Sequence, residues 1–183
     1  MKVKIVITCA MGLESVLKFE CYDLGYKQLT IDNGAISLEG SLEDVCKLNM
    51  WCRTAGRVFI ELPTFHAQSF DDLFDAITEM DWTPWLPKDA YCTVVSVSSK
   101  QSELYSKSDI QSITKRAILK SLEKAYSVNE FSESGAHIPM RVVINNDNVA
   151  IRLDTSATPC YFLLPSLLLD DFSFCFDYSA FEI

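Results

Sequence analysis

Arg116, Lys120 and Lys124 recur at intervals of four residues within the stretch KSDIQSITKRAILKSLEKAY, residues 107–126. Residues four apart on a helix lie one above another, so this spacing predicts a cationic stripe. Lys107 and Lys115 belong to the same stretch, which has only Asp109 and Glu123 as acids. Of the chain's 16 basic and 25 acidic residues it takes five and two, so a segment of charge +3 sits in a background of −12. Like charges at this spacing repel mildly, and a polyanion laid along them would relieve the repulsion. Lys100 and Lys107 flank the approach to the helix, where free backbone N–H groups also favour anions. The chemistry this points to is the binding of phosphate or RNA. The other reading, a solvated helix face, stays open on these residues alone, although such faces usually alternate in sign.

Little else in the chain has the spacing of a reactive site. No glycine-rich phosphate loop of either common pattern occurs among the six glycines. With His66 and His137 as the only histidines, a catalytic triad is disfavoured, and both read as sheet-end or surface residues. The seven cysteines (Cys9, Cys21, Cys46, Cys52, Cys92, Cys160, Cys175) form no Cys-x-x-Cys pair, and Cys46 and Cys52, six apart on a helix, make a poor ligand pair. They read as reduced thiols, with no metal site. Asp71–Asp72 and Asp170–Asp171 are adjacent, and neighbouring residues on a helix point apart. Trp51, Trp82 and Trp85 read as packing anchors rather than a stacking platform. No catalytic residue is assigned.

The elements that must position the stripe follow from periodicity. At 183 residues, with 49% apolar and 22% charged, the chain suits one domain or two small ones with a buried core. Its net charge of −9 argues against coating nucleic acid over the whole surface, yet screening over roughly 8–10 Å leaves a local basic face free to act. VKIVITCA reads as a strand, too short for a signal peptide. The helix of residues 11–26 carries Leu13, Val16, Leu17 and Leu24 and stops at Gly25. Asn33-Gly34 marks a hairpin. Ser41 with Asp44 opens a second helix, whose face runs through Val45, Leu48 and Trp51 or Cys52. RVFIELPTF closes a β-α-β-β-α-β order, the ferredoxin-like arrangement. Beyond it come a helix at 69–80, entered at Ser69 with Asp72 three residues on, a Pro/Trp-rich loop, a strand at 91–100 and the basic helix. That helix turns Ile110, Ile113, Ala117, Ile118, Leu122 and Ala125 toward a sheet, and a hairpin follows, turning at Asn145–Asn148. This second half is expected to form a small α/β sheet of its own. The fold class is α+β.

Longer signatures add a family resemblance. MKVKIVITCAMGLESVLKFECYDLGY resembles the opening of THUMP-containing RNA methyltransferases, with their Thr-Cys/Ala-x-Gly-Leu-Glu element. NMWCRTAGRV, residues 49–58, is similar to the Asn-x-Trp-x-Arg-Thr-Ala-x-Arg-Val block of that group. WLPKDA, the series Lys100, Leu104, Ser106, Gln111, Lys115, Arg116, Ala117, and VAIRLDTS continue the likeness to about residue 157. It is nearest to the bacterial class I enzymes that methylate the exocyclic N2 amine of guanine in large-subunit ribosomal RNA. The resemblance implies a ferredoxin-like subdomain at 1–66 and a THUMP domain at 67–157, whose family boundary begins as early as residue 44. It implies that the THUMP domain grips structured RNA by backbone and shape. Methyl transfer from S-adenosylmethionine would belong to a separate catalytic domain, so no cofactor and no activity is expected of this chain alone. The RNA-facing candidates are Lys100, Lys107, Lys115, Arg116, Lys120 and Lys124; Arg53 and Arg57 are set apart as residues that tie helix to sheet.

The likeness breaks after Ser156. Residues 158–183 form an apolar tail without Lys or Arg, and the Asn/Asp-Pro-Pro-Tyr loop of the catalytic domain is missing because no two prolines are adjacent. An edge cover, a homodimer contact and a change of reading frame all fit such a tail. The expected partner is RNA, large-subunit rRNA above all, with no membrane and a cytoplasmic location. The alternative function is a small-molecule sensor on the ferredoxin-like half, or a protein-interaction module using the apolar tail, without RNA binding.

Overall fold

The computed structural model describes residues 1–128 and 134–156, so expectations for Asp170–Asp171, Cys160, Cys175 and a dimer through the tail lie outside the described residues. The first half runs β1 (Val3–Thr8), α1 (Glu14–Asp23), β2 (Thr30–Asp32), β3 (Ala35–Gly40), α2 (Leu42–Trp51) and β4 (Arg57–Glu61). There follow β5 (Phe65–His66), α3 (Phe70–Glu79), β6 (Tyr91–Lys100), α4 (Lys107–Tyr126), β7 (His137–Asn145) and β8 (Asn148–Asp154). The β-α-β-β-α-β order of the first half is as the sequence predicts, and the Asn33-Gly34 turn closes its hairpin with Gly34 at φ +73°. At the second hairpin Asn146 and Asp147 both take positive φ, +49° and +59°. That is the conformation a two-residue hairpin loop prefers and which Asn and Asp tolerate.

The two halves do not form separate sheets, contrary to the expectation from sequence. One sheet runs β2-β3-β1-β4-β8-β7-β6, with β5 also pairing with β8. The junction is antiparallel and joins Phe59 to Asp154, Ile60 to Leu153 and Glu61 to Arg152. Alone, the first half would leave β4 as an unpaired apolar edge, and an unpaired row of backbone groups is satisfied by adding a strand. Periodicity within each strand says nothing about that partner.

All four helices pack on one face of the sheet. Ile5, Ile60, Leu153, Met140 and Val94 are register neighbours across five strands and belong to the same core as Leu17, Leu48, Leu73, Ile77, Ile118 and Leu122 of the helices. One step along each strand the side chains turn to the other face, where Lys4, Glu61, Arg152 and Arg141 form a charged row. Trp82 is buried as expected and donates its indole N–H to the Ile77 carbonyl at 2.9 Å. Trp51 is not an anchor: it is 63% exposed. The α2 face that reaches the core passes through Leu42, Val45 and Leu48 and continues at Cys52, which leaves Trp51 pointing outward. Similarly α1 is held by Leu17 and Cys21, while Leu13 and Val16 stay exposed, and on α4 Thr114 and Ser121 occupy buried positions while Ala125 is exposed.

Both short-helix starts expected from sequence are closed capping boxes. Ser41 N–H donates to the Asp44 carboxylate at 2.7 Å, Asp44 N–H donates to Ser41 Oγ at 3.3 Å, and Ser69 with Asp72 repeats the pattern at 3.0 and 3.1 Å. Asp44 also accepts the Tyr26 hydroxyl at 2.7 Å. Burial pushes the Asp44 carboxyl up, but the hydrogen bonds from Ser41 and Tyr26 outweigh it and hold the group below its ordinary range. Asp44→Ala is therefore expected to lower stability in urea titrations by about 2 kcal/mol, from a lost cap plus a stranded tyrosine hydroxyl. Asp72→Ala, exposed and without a tyrosine, is expected to cost clearly less. Equal costs would show that the Tyr26 contact contributes nothing.

Candidate nucleic-acid interface

α4 connects the parallel neighbours β6 and β7 and carries most of the candidate cations. Its start is fixed by the β7–β8 turn. Lys100 C=O accepts from Asn146 N–H at 3.2 Å, Asp147 accepts from Glu103 N–H at 2.8 Å, and Ser102 Oγ accepts from Asp147 N–H at 3.1 Å. Lys100 and Lys107 are exposed at this end. The helix start is not an empty anion site, because Asp109 in its first turn accepts from Ser106 Oγ at 2.5 Å.

The candidates do not form one surface. Lys107 and Lys124 are 17 residues apart, roughly 25 Å along the axis. A step of four residues overshoots a full turn by about 40°, so Arg116, Lys120 and Lys124 precess toward α3. The Lys120 ammonium lies 5.0 Å from the Phe74 ring of α3. On the opposite flank the Lys115 ammonium lies 5.4 Å from the Tyr91 ring of β6.

The neighbours of the two flanks differ in charge. α3 packs along α4, where Ser121 Oγ donates to the Met80 carbonyl at 3.2 Å, and it exposes Asp71, Asp72, Asp75 and Glu79. Packed helices lie about 8–10 Å apart, close to the screening length at physiological salt, so these carboxylates offset the potential of Lys120 and Lys124. Lys115 and Arg116 stand away from that acidic helix. With Thr93, Gln111 and Ser112 they line a depression of about 520 Å³ between α4 and β6. Gln111 donates to the Val94 carbonyl at the β-bulge of this edge strand, which ties the helix to the rim of the sheet.

Arg57 pairs with Asp154 at 2.6 Å. It joins β4 to β8, strand to strand, rather than helix to sheet. Arg53 is exposed, and its own N–H donates to Glu20 at 3.1 Å. Sequence reasoning missed a pair beside Lys115. Tyr91 and His137 are register partners whose ring centroids lie 5.2 Å apart, and only the pairing of β6 with β7 brings these distant residues together. Among the described residues no group of three or more His, Cys, Asp or Glu could hold a metal ion, and Cys9, Cys21 and Cys52 are in no disulfide. No helix among the described residues is long and apolar enough to cross a membrane.

Comparison with known proteins places this architecture. A family profile described as the RlmL ferredoxin-like domain matches residues 4–59, and one described as the THUMP domain matches residues 67–154. The Bacillus subtilis (strain 168) protein YpsC, named provisionally as an RNA methyltransferase, is 34% identical over 159 residues, 86% of this chain and 41% of its own length. The ribosomal RNA large subunit methyltransferase K/L of Marinomonas sp. (strain MWYL1) is 35% identical over 77 residues, 42% of this chain and 11% of its own. A solved structure from Clostridium difficile 630, named provisionally as a methylase, superposes with a TM-score of 0.80 at 34% identity, over 84% of this chain and 41% of that one. SMU.472, named provisionally as a methyltransferase and solved with SAH, gives the same score at 29% identity, again over 84% and 41%. The chain spans about two fifths of the length of YpsC and of these solved structures. With one domain profile followed directly by the other, this chain belongs to the proteins that join an RlmL-type ferredoxin-like domain to a THUMP domain.

Proposed function

We propose that this chain is the RNA-binding module of a ribosomal RNA methyltransferase, gripping structured RNA through phosphate contacts and presenting it to a separate S-adenosylmethionine-dependent domain. The observation that carries this reading is the Lys115–Arg116 pair, set on a THUMP domain and turned away from the carboxylates of α3. The target implied by the family likeness is the exocyclic N2 amine of a guanine in large-subunit rRNA; the relatives named as large-subunit rRNA methyltransferases and the neighbour solved with SAH support the rRNA and the cofactor. Lys and Arg contacts to phosphates release condensed counterions, so affinity should fall with salt at roughly 0.7–0.9 decades per decade for each phosphate held.

The test is a titration of a large-subunit rRNA fragment between about 50 and 200 mM salt. A slope of at least about 1.4, the value for two contacts on a single strand, is expected. A slope near zero, or thermal stabilisation by a small metabolite and none by RNA, would replace this reading with a ligand-sensing ferredoxin-like module.

A further inference from the structure

We infer that Tyr91 and His137 form a stacking platform for one unpaired base of the bound RNA, adjoining the phosphate site of Lys115 and Arg116; this rests on the RNA-binding reading above. The two residues open β6 and β7 and are register partners, so the sheet sets them side by side. Their rings are 5.2 Å apart and tilted by 34°, and both residues are exposed. The imidazole is oriented by a 2.5 Å hydrogen bond between its Nε2 and Thr93 Oγ1, and Thr93 also lines the depression that Lys115 and Arg116 share. The Lys115 ammonium lies 5.4 Å from the centre of the Tyr91 ring.

Aromatic faces beside cations are how proteins hold single-stranded nucleic acid: the cations take the backbone, and any base stacks because every base has a π-face. Duplex RNA offers no such face along its length, so tyrosine and histidine platforms serve loops, bulges and ends. Rings serving only the fold would be expected inside the core. These two stand at the rim, within one nucleotide's reach of the cations. The ligand class assigned is therefore an RNA with a single-stranded segment next to a duplex.

The experiment compares two RNAs, a blunt duplex and the same duplex with a short single-stranded overhang, by fluorescence anisotropy at one salt concentration and then at several. The protein is expected to prefer the overhang by on the order of tenfold. Tyr91→Ala and, separately, His137→Ala should erase most of that preference while leaving the salt slope unchanged, and Tyr91→Phe should restore it. A 2-aminopurine placed in the overhang should be quenched on binding the parent protein and not on binding Tyr91→Ala. Unchanged preference and quenching in both alanine variants, each shown folded by its thermal midpoint, would overturn the platform and leave the phosphate reading intact. Absence of binding to either RNA by the parent protein would overturn both.

Discussion

Neutralising the β6 flank of α4, with Lys115→Gln and Arg116→Gln combined, is expected to weaken binding of a large-subunit rRNA fragment roughly 25- to 60-fold at about 0.1 M salt. Each phosphate contact releases 0.7–0.9 of a counterion, and at that concentration each is worth the same number of decades in affinity, so two give about 1.4–1.8 decades. The salt slope should fall by the same 1.4–1.8. The control is Lys120→Gln with Lys124→Gln, an equal change in charge on the same helix. Here the expected loss is about threefold or less, because α3, which exposes Asp71, Asp72, Asp75 and Glu79, packs against α4 and its carboxylates oppose the potential of those two lysines. Binding isotherms of the two double variants across a salt series decide the matter. Equal losses in both would mean that the whole stripe faces the RNA and that the acidic helix does not divide it.

How far this division could be read from sequence depends on how local its cause is. The hairpin at Asn33-Gly34, the capping boxes at Ser41 and Ser69, and the extent of α4 are decided within a few residues by turn chemistry and periodicity, and each was legible. The four-residue recurrence of Arg116, Lys120 and Lys124 was equally visible. Which of these cations lie beside the acidic helix was not, because that depends on where α3 packs. The single sheet was hidden for the same reason: β4 and β8 each show an apolar run, and neither run names its partner. Arg57 reads from its motif as a tie between helix and sheet, yet its guanidinium is held 2.6 Å from the Asp154 carboxylate of β8, 97 residues away in the chain. Tyr91 and His137 are unremarkable until β6 and β7 pair in parallel.

The joint between β4 and β8 sets how the ferredoxin-like half is held against the strands that carry α4, and Glu61 is its most sensitive side chain. Its side chain is 3% exposed, with Lys4 at 2.7 Å on one side and Arg152 at 2.6 Å on the other. Burial by itself raises this carboxyl; the hydrogen bond from Lys4 and the charge of Arg152 outweigh it and hold the group below the ordinary carboxylate range. Glu61→Gln is expected to lower the unfolding free energy by about 2–3 kcal/mol at pH 7. That is under the 3–5 kcal/mol typical of breaking a fully buried pair, because Lys4 is half exposed and Arg152 keeps some access to water. A carboxyl whose value is lower folded than unfolded stabilises the protein above the unfolded value, near 4.3, and that contribution is lost as pH falls through the folded value. The gap between parent and variant in urea titrations should therefore be full at pH 5–7 and shrink steadily below about pH 4. Lys4→Met, at the exposed end of the row, should cost about 1 kcal/mol or less. Combining Glu61→Gln with Arg152→Met should cost clearly less than the sum of the two single changes, since each single change strands a partly buried partner. If the Glu61→Gln gap stays constant from pH 7 to pH 3, the shape of the side chain rather than its charge holds the seam, and the row across β1, β4 and β8 is packing alone.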